Sequence, residues 1–510
     1  MVWGGYRPAP SGVACKYLPP MRALVLSLVT LAAACGPAKG TAGAPAAAEA
    51  FPAARWVPAD PTYVIAAHSF RDAQSAFHDA IDILGMVAGV EVGEVSRGLQ
   101  QILAVDPMSA DAVAAIGIDL EGSMVLFSED VDPTFVLHLT SAEAMSAFLD
   151  KERERGLRTQ SMVIDGVELF TAQIESDLFL SWAVDKEWLW VHFGAKADSR
   201  DWFEHSRKPA GPTWNASWAW AESAARAAAK APGLVGFVDL RDVAKVVSSR
   251  VPEAQACARQ LESALRVGVG IATDGAHVSM RLTVDAGAAG QGIAGQLLQP
   301  PPGWAAAADK APIAAQWNLD LRSAAGWLNP CFAGTDDRGP DLVSTVDQYG
   351  FRTVRAIVHS LNPDDRNGRG VVALDLSHKR FLAGMLDEVP MRSKFEKNQT
   401  YGVYQGKHLS VPFVATADYV LDDRVFLAAM GDGMLRQAGT GAPPAGVPAV
   451  LAIDLIPAGL PVDIWQWLFE QIDLPAPKRL AQRLQSWSDL HLGARIDGSM
   501  LVVDAVGTRR

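Results

Sequence analysis

The sequence predicts an α+β protein built from tandem duplicated modules, each an antiparallel sheet with helices packed on one face. Three observations predict it. A short strand-like phrase recurs four times, two long stretches repeat one order of strand, helix and hairpins, and two helix–hairpin units match in spacing.

The phrase appears as Thr62-Tyr63-Val64-Ile65-Ala66-Ala67-His68 and as Leu234-Val235-Gly236-Phe237-Val238-Asp239-Leu240. It returns as Ala314-Ala315-Gln316-Trp317-Asn318-Leu319-Asp320-Leu321 and as Ala449-Val450-Leu451-Ala452-Ile453-Asp454-Leu455. Each copy follows a Pro by a few residues and leads toward a helix-like segment, and its short, β-rich run suits a strand entering a core.

In the longer match, Phe135-Val136-Leu137-His138-Leu139 precedes a helical stretch with Met145, Phe148 and Leu149, then strand pairs around Asp165-Gly166 and Asp185-Lys186. Later, Val372-Ala373-Leu374-Asp375-Leu376 precedes a helix with Phe381, Leu382 and Leu386, then strands around Gln405-Gly406 and around Asp422-Asp423. In the third match, Pro252 opens a helix ending before Gly268, and Pro477 opens one ending before Gly493. Each runs into a hairpin with Asp-Gly at its turn, Asp274-Gly275 and Asp497-Gly498. Asp-Gly suits a two-residue turn because both central positions need positive φ.

These repeats place a first module at 59–287, a linker at 288–311 and a second module at 312–510. The connections at 208–212, 299–303 and 439–444 are rich in Pro and Gly. Hairpins with helices between them imply antiparallel sheets, not βαβ crossovers.

At 510 residues the chain exceeds one ordinary core, since a domain takes roughly 100–200 residues. Its 49% apolar and 20% charged content suits a folded protein. A formal net charge of −12 opposes a nucleic-acid role, which needs a surplus of Lys and Arg on one face.

Ahead of the modules, Met21-Arg22 and an apolar run to Ala34 form a basic n-region and an h-region. The run is too short to span a bilayer, which takes about 20 residues, but fits a signal peptide over 1–34. Residues 1–20, with Pro8, Pro10, Pro19 and Pro20, read as sequence preceding a true start at Met21. Leu31-Ala32-Ala33-Ala34-Cys35 resembles the lipobox of bacterial lipoproteins, departing from it at Ala32, where Leu is usual. The resemblance implies cleavage before Cys35 and a diacylglycerol on its sulfur. It also implies outer-membrane sorting, because Gly36 rather than Asp follows the Cys. Residues 35–58 would then be anchor and tether, too poor in large apolar residues to offset the entropy of ordering. The expected place is the cell envelope, lipid-anchored to the outer membrane and facing the periplasm or the cell surface. The duplicated body is similar to uncharacterised duplicated lipoproteins of high-GC Gram-negative bacteria, a resemblance that implies no activity.

Catalytic signatures are missing. The ten His form no H-x-x-x-H or H-x-H pair, and there is no G-x-S-x-G or S-x-x-K. His138, His192, His277 and His491 read as hydrogen-bonded residues of strands. Gly402 to His408 lacks the length and the Ser or Thr of a phosphate loop and reads as a hairpin. The loop 362–368 reads as a solvated turn, because its oxygens do not alternate as in a calcium loop and Arg366 opposes a cation. No metal and no cofactor are expected. Cys257 and Cys331 read as two buried thiols, with a bridge between the modules as the alternative. Trp214, Trp218 and Trp220 read as filling of Ala-rich interfaces, with a groove for an apolar or sugar ligand as the alternative.

The expected function is that of a non-enzymatic binding or scaffold module. Its partners would be the membrane, through the anchor, and an envelope protein or apolar ligand, with the linker region 288–312 as the place to look for a cleft. The alternatives are a carrier or sensor of apolar molecules such as lipid, and an envelope hydrolase whose site is assembled from distant positions.

Overall fold

A computed structural model describes residues 51–510 except 209–232, 251–265 and shorter stretches. The shorter ones are 59–60, 89–92, 94–95, 98–99, 101–103, 129–131, 155–158, 176–177, 195–198, 274, 333–340, 363–366, 389–391, 412–414, 442–445, 473 and 475. The signal segment, Cys35, Trp214, Trp218, Trp220 and Cys257 lie outside the described residues.

The first half contributes β1 (Tyr63–Ala67), β2 (Met124–Ser128), β3 (Thr134–His138), β4 (Thr159–Ile164) and β5 (Val167–Glu175). It continues with β6 (Leu178–Asp185), β7 (Trp188–Gly194), β8 (Leu234–Asp239), β9 (Arg266–Thr273) and β10 (His277–Asp285). The second half contributes β11 (Ile313–Trp317), β12 (Val354–Asn362), β13 (Asn367–Asp375), β14 (Glu396–Tyr401) and β15 (Tyr404–Val411). Then come β16 (Ala415–Leu421), β17 (Val425–Met430), β18 (Leu451–Leu455), β19 (Trp487–Asp497) and β20 (Met500–Arg509).

Every pairing among the described residues is antiparallel, and the two halves use one strand order. The first reads β4-β5-β6-β7-β3-β2-β1-β8-β9-β10. The second reads β14-β15-β16-β17-β13-β12-β11-β18-β19-β20. β10 pairs with β20 and joins the two series back to back into one 20-stranded sheet. The four recurring phrases become β1, β8, β11 and β18, and they sit together in pairs, β1 on β8 and β11 on β18.

Register fixes an approximate twofold axis through the junction. Val278 faces Thr273 as Leu501 faces Ile496, so Arg281, opposite Gly270, is the counterpart of Asp504, opposite Gly493. These two counterparts face each other across β10 and β20, 223 positions apart in the chain. Arg281 donates through Nε and Nη2 to the two carboxylate oxygens of Asp504, and Arg495 donates to the same carboxylate. Both axial residues are buried. In a sheet of identical halves this position would face its own like. A charge pair instead makes the contact one between unlike halves.

The longer helices share one face of the sheet. There the helix Phe70–Ala88 packs across β1, β8 and β9, and Met145 and Phe148 of the helix Ala142–Glu154 pack over Leu137 and Leu189. Shorter pieces cover the opposite face. In the first half these are the 3-10 turn Pro52–Trp56 and the helix Ser199–Arg207, closing over Val64, Ala66, Val125 and Trp190. In the second half they are the helices Trp304–Ala308 and Met434–Ala438, closing over Ile357, Val371 and Leu427. The junction has its own apolar cluster, where Leu282 of the first half packs with Val450, Ala494 and Val503 of the second. Arg509 also donates to Asp79 at 2.5 Å, tying the last strand to the first long helix.

Candidate functional site

A half-open cleft of about 530 Å3 lies over β11 and β18. Its wall is the linker from Gln299 through Ala311, and its opposite rim is the segment Gly446–Ala449. The expected place, the 288–312 linker, therefore does line a cleft, but the rest of the lining comes from the second half alone and not from both copies.

The floor follows from strand register. Ala314 faces Asp454 and Gln316 faces Ala452 across β11 and β18. Alternate residues share a face of a strand, so these four side chains point to the same side. The two alanines leave the floor recessed. Gln316 and Asp454 give it hydrogen-bonding groups. The Asp454 side chain is 55% exposed and takes the Nδ1 of His491, which faces it from β19. The Gln316 Oε1 is buried and has no hydrogen-bond partner among the described residues. A buried acceptor left unmatched costs about 1–3 kcal/mol.

Two anchors hold the wall. Arg355, next to Gln316 on β12, is buried to 1% exposure. It donates to Asn318 Oδ1 at 2.6 Å, Asp375 Oδ2 at 2.8 Å and the carbonyls of Leu298 and Gln299 at 3.0 and 3.2 Å. Burial pushes this guanidinium below its ordinary value while Asp375 opposes the shift. Gly303 is the second anchor. A Cβ there would collide with the carbonyl oxygen of Gln437, so only glycine lets the linker sit this close to the helix Met434–Ala438. Trp304 is then buried at the start of its helix. Lys310, on the rim, has a φ of 55°, a left-handed backbone rarely taken by a side-chain-bearing residue.

The predicted hairpin at Gly402 is present, with Tyr401 facing Tyr404 and Gly402 at a φ of 61°. Below it, Tyr401 donates to Asp418 Oδ1 at 2.6 Å and His408 Nδ1 lies 2.7 Å from the same oxygen. Burial, then the Asp418 carboxylate, pushes the Tyr401 phenol far up.

Of the strand histidines, His138 holds Asp119 at 2.8 Å, His192 holds the hydroxyl of Thr134 at 3.1 Å and His491 holds Asp454. His277 also has a partner. Thr134 and His192 pair a hydroxyl with an imidazole, but both are buried, and Trp202 donates to the same hydroxyl at 2.8 Å. No three His, Cys, Asp or Glu among the described residues stand close enough to hold a metal ion. Cys331 lies in the last turn of the helix Leu321–Phe332. Trp182, Trp188, Trp190, Trp304, Trp465 and Trp487 are buried in the described core. No helix among the described residues is long and apolar enough to cross a membrane.

Sequence reasoning did not find Gln316, Arg355 or Asp454 as site residues. The available signal was the recurring phrase itself. Aligned at their strand ends, its copies put Ala314 and Gln316 where the first copy has Val64 and Ala66.

No protein-family model matches the chain, and no curated protein does. Among solved structures, three crystal forms of TP0453 are similar over part of the fold. Form III has a TM-score of 0.27 and 6% identity, covering 46% of this chain and 79% of that one. Form I has 0.26 and 9%, covering 46% and 78%, and form IV has 0.24 and 7%, covering 48% and 84%. Likeness at this level carries no argument about what the chain does.

Proposed function

We propose that this chain is a lipid-anchored protein of the bacterial envelope whose body is a non-enzymatic binding module, and that the cleft over β11 and β18 is its ligand site. One observation carries the choice of site. At equivalent positions of a duplicated sheet, Val64, Ala66, Val235 and Phe237 pack as apolar core, whereas Ala314, Gln316, Ala452 and Asp454 line an opening. The frame does not require the opening, since the same frame closes elsewhere. The anchor rests on the Leu31–Cys35 motif.

Native mass spectrometry on the full chain exported into a periplasm tests both parts. The anchor reading expects a diacylglycerol mass that vanishes in Cys35→Ala, and an unlipidated wild type overturns it. The site reading expects a discrete extra mass that is lost when the cleft is filled by Ala314→Val with Ala452→Val. An extra mass that survives filling, or none in wild type, overturns it.

A further inference from the structure

We infer that the cleft takes a small amphipathic amine, held by its ammonium on the floor and by a short apolar body against the wall. The inference rests on the proposed ligand site and adds the chemistry of its occupant.

The floor asks for a donor. An ionised carboxylate can only accept hydrogen bonds, and Asp454, more than half exposed, is the charged group of the floor. On the same face the Gln316 side chain lines the cleft, and its Oε1 has no hydrogen-bond partner among the described residues. An ammonium carries three donors on one compact cation, which suits a floor whose charged group accepts. Charges at the rim do not reverse this preference, because Asp309 and Lys310 are neighbours of opposite sign.

The walls ask for an apolar body. Trp304, Ala308, Ala311, Pro300, Pro448 and Ile456 surround the floor. Ile456 is itself 36% exposed, and Val447, between two lining residues, is 69% exposed. Apolar walls with a few placed polar groups, in a space of roughly 300–1,000 Å3, describe a small-molecule pocket. A peptide strand added to the sheet is a poor alternative, because the cleft lies on a sheet face where β11 and β18 already have neighbours on both edges.

In the first half the position of Asp454 is taken by Phe237 and that of Gln316 by Ala66, so nothing there can receive an ammonium. The molecule thus contains its own negative control.

The test is ligand-observed NMR on the full chain with hexylammonium and hexanoate, two probes of equal length and opposite charge. Hexylammonium is expected to bind and hexanoate is not. Asp454→Asn is expected to weaken hexylammonium at least tenfold, and Ala314→Val with Ala452→Val to abolish it. If Asp454→Asn does not fold, Gln316→Leu, which leaves the Asp454–His491 pair intact, is expected to weaken it severalfold. Hexanoate binding as well as hexylammonium, with both lost on filling, overturns the amine and leaves the cleft as a ligand site. Neither probe binding, or binding indifferent to filling, overturns the cleft reading as well.

Discussion

The floor formed by β1 and β8 and the floor formed by β11 and β18 are the same place in two copies of one fold, and they do opposite things. Over the first, Phe51, Ala53, Ala54 and Val57 lie down on Val64, Ala66 and Val235 and bury them completely. Over the second, Trp304, Ala307 and Ala311 pack toward Ile357 and Val371 and leave the β18 side open. The difference comes from few side chains. Two valines become alanines, one alanine becomes Gln316, one phenylalanine becomes Asp454, and Val125 becomes Arg355, which ties the wall down by its rim and not by its middle. A frame fixed by backbone pairing therefore leaves the choice between core and cavity to volume and polarity at a few positions.

The sharpest way to break the comparison is to exchange counterparts. Ala66→Gln places the second half's residue in the first half's core. It is expected to cost roughly 1–3 kcal/mol for overpacking and about as much again for a buried unsatisfied amide, read as a lower urea midpoint. The reverse change, Gln316→Ala, removes an unmatched acceptor and is expected to be neutral or to stabilise by up to about 1 kcal/mol. Equal costs in the two directions would mean that the two floors are not different in kind.

The junction gives the next effect. Arg281→Met leaves Asp504 buried with only Arg495, and removing one member of a buried pair costs about 3–5 kcal/mol when nothing replaces it. Arg495 reduces this, so about 2–4 kcal/mol is expected in the same urea assay. Arg281→Met combined with Asp504→Leu is expected to regain most of the loss, because both charges leave together. The double variant should show homotypic association by size-exclusion chromatography after refolding, since unlike charges no longer set which strand meets which.

Filling the cleft is milder. Ala314→Val with Ala452→Val is expected to raise stability by up to about 1 kcal/mol by burying methyl groups on both floor strands. The same two changes should abolish ligand binding, and a fall in thermal stability would show that the opening has no room to spare.

The smallest effect is pH dependence at the outer edge of the second half. Burial alone would raise Glu396, but hydrogen bonds from Lys407 and Tyr419, and the charges of Lys407 and Arg392, hold it below its ordinary 4.5. A carboxyl with a depressed folded-state pKa contributes stability that is present above its unfolded value and lost as pH falls through the folded one. Below pH 4.5, amide exchange in β14–β16 should therefore accelerate before that in β4–β6, where the matching strand position is Thr159. Glu396→Gln is expected to erase the difference.

Much of the frame was legible in the chain. The four recurring phrases and the Gly402 hairpin stand where local pattern put them. The last hairpin is present but turns one residue later than expected: Asp497 ends β19 opposite Met500, so Gly498 and Ser499 are the turn residues, and the positive φ falls on Gly498 and not on Asp497. Strand period and turn chemistry act over a few residues and can be read without partners. The helices around Met145, around Phe381 and after Pro477 were legible as helices, while the one expected from Pro252 lies outside the described residues. The short pieces lying against the second face were not legible, because one-sided amphipathicity does not say which side of a sheet a segment will cover.

By itself, then, the sequence determined the α+β class, the duplication and the strand phrases, since these follow from periodicity, turn residues and self-similarity along the chain. Tertiary structure alone decided that the halves join at β10 and β20 into one sheet, that Arg281 meets Asp504 on the axis, and that Gln316 and Asp454 share a floor. Those facts depend on register between strands far apart in sequence. Register is set by the packing of whole faces, which no local window contains.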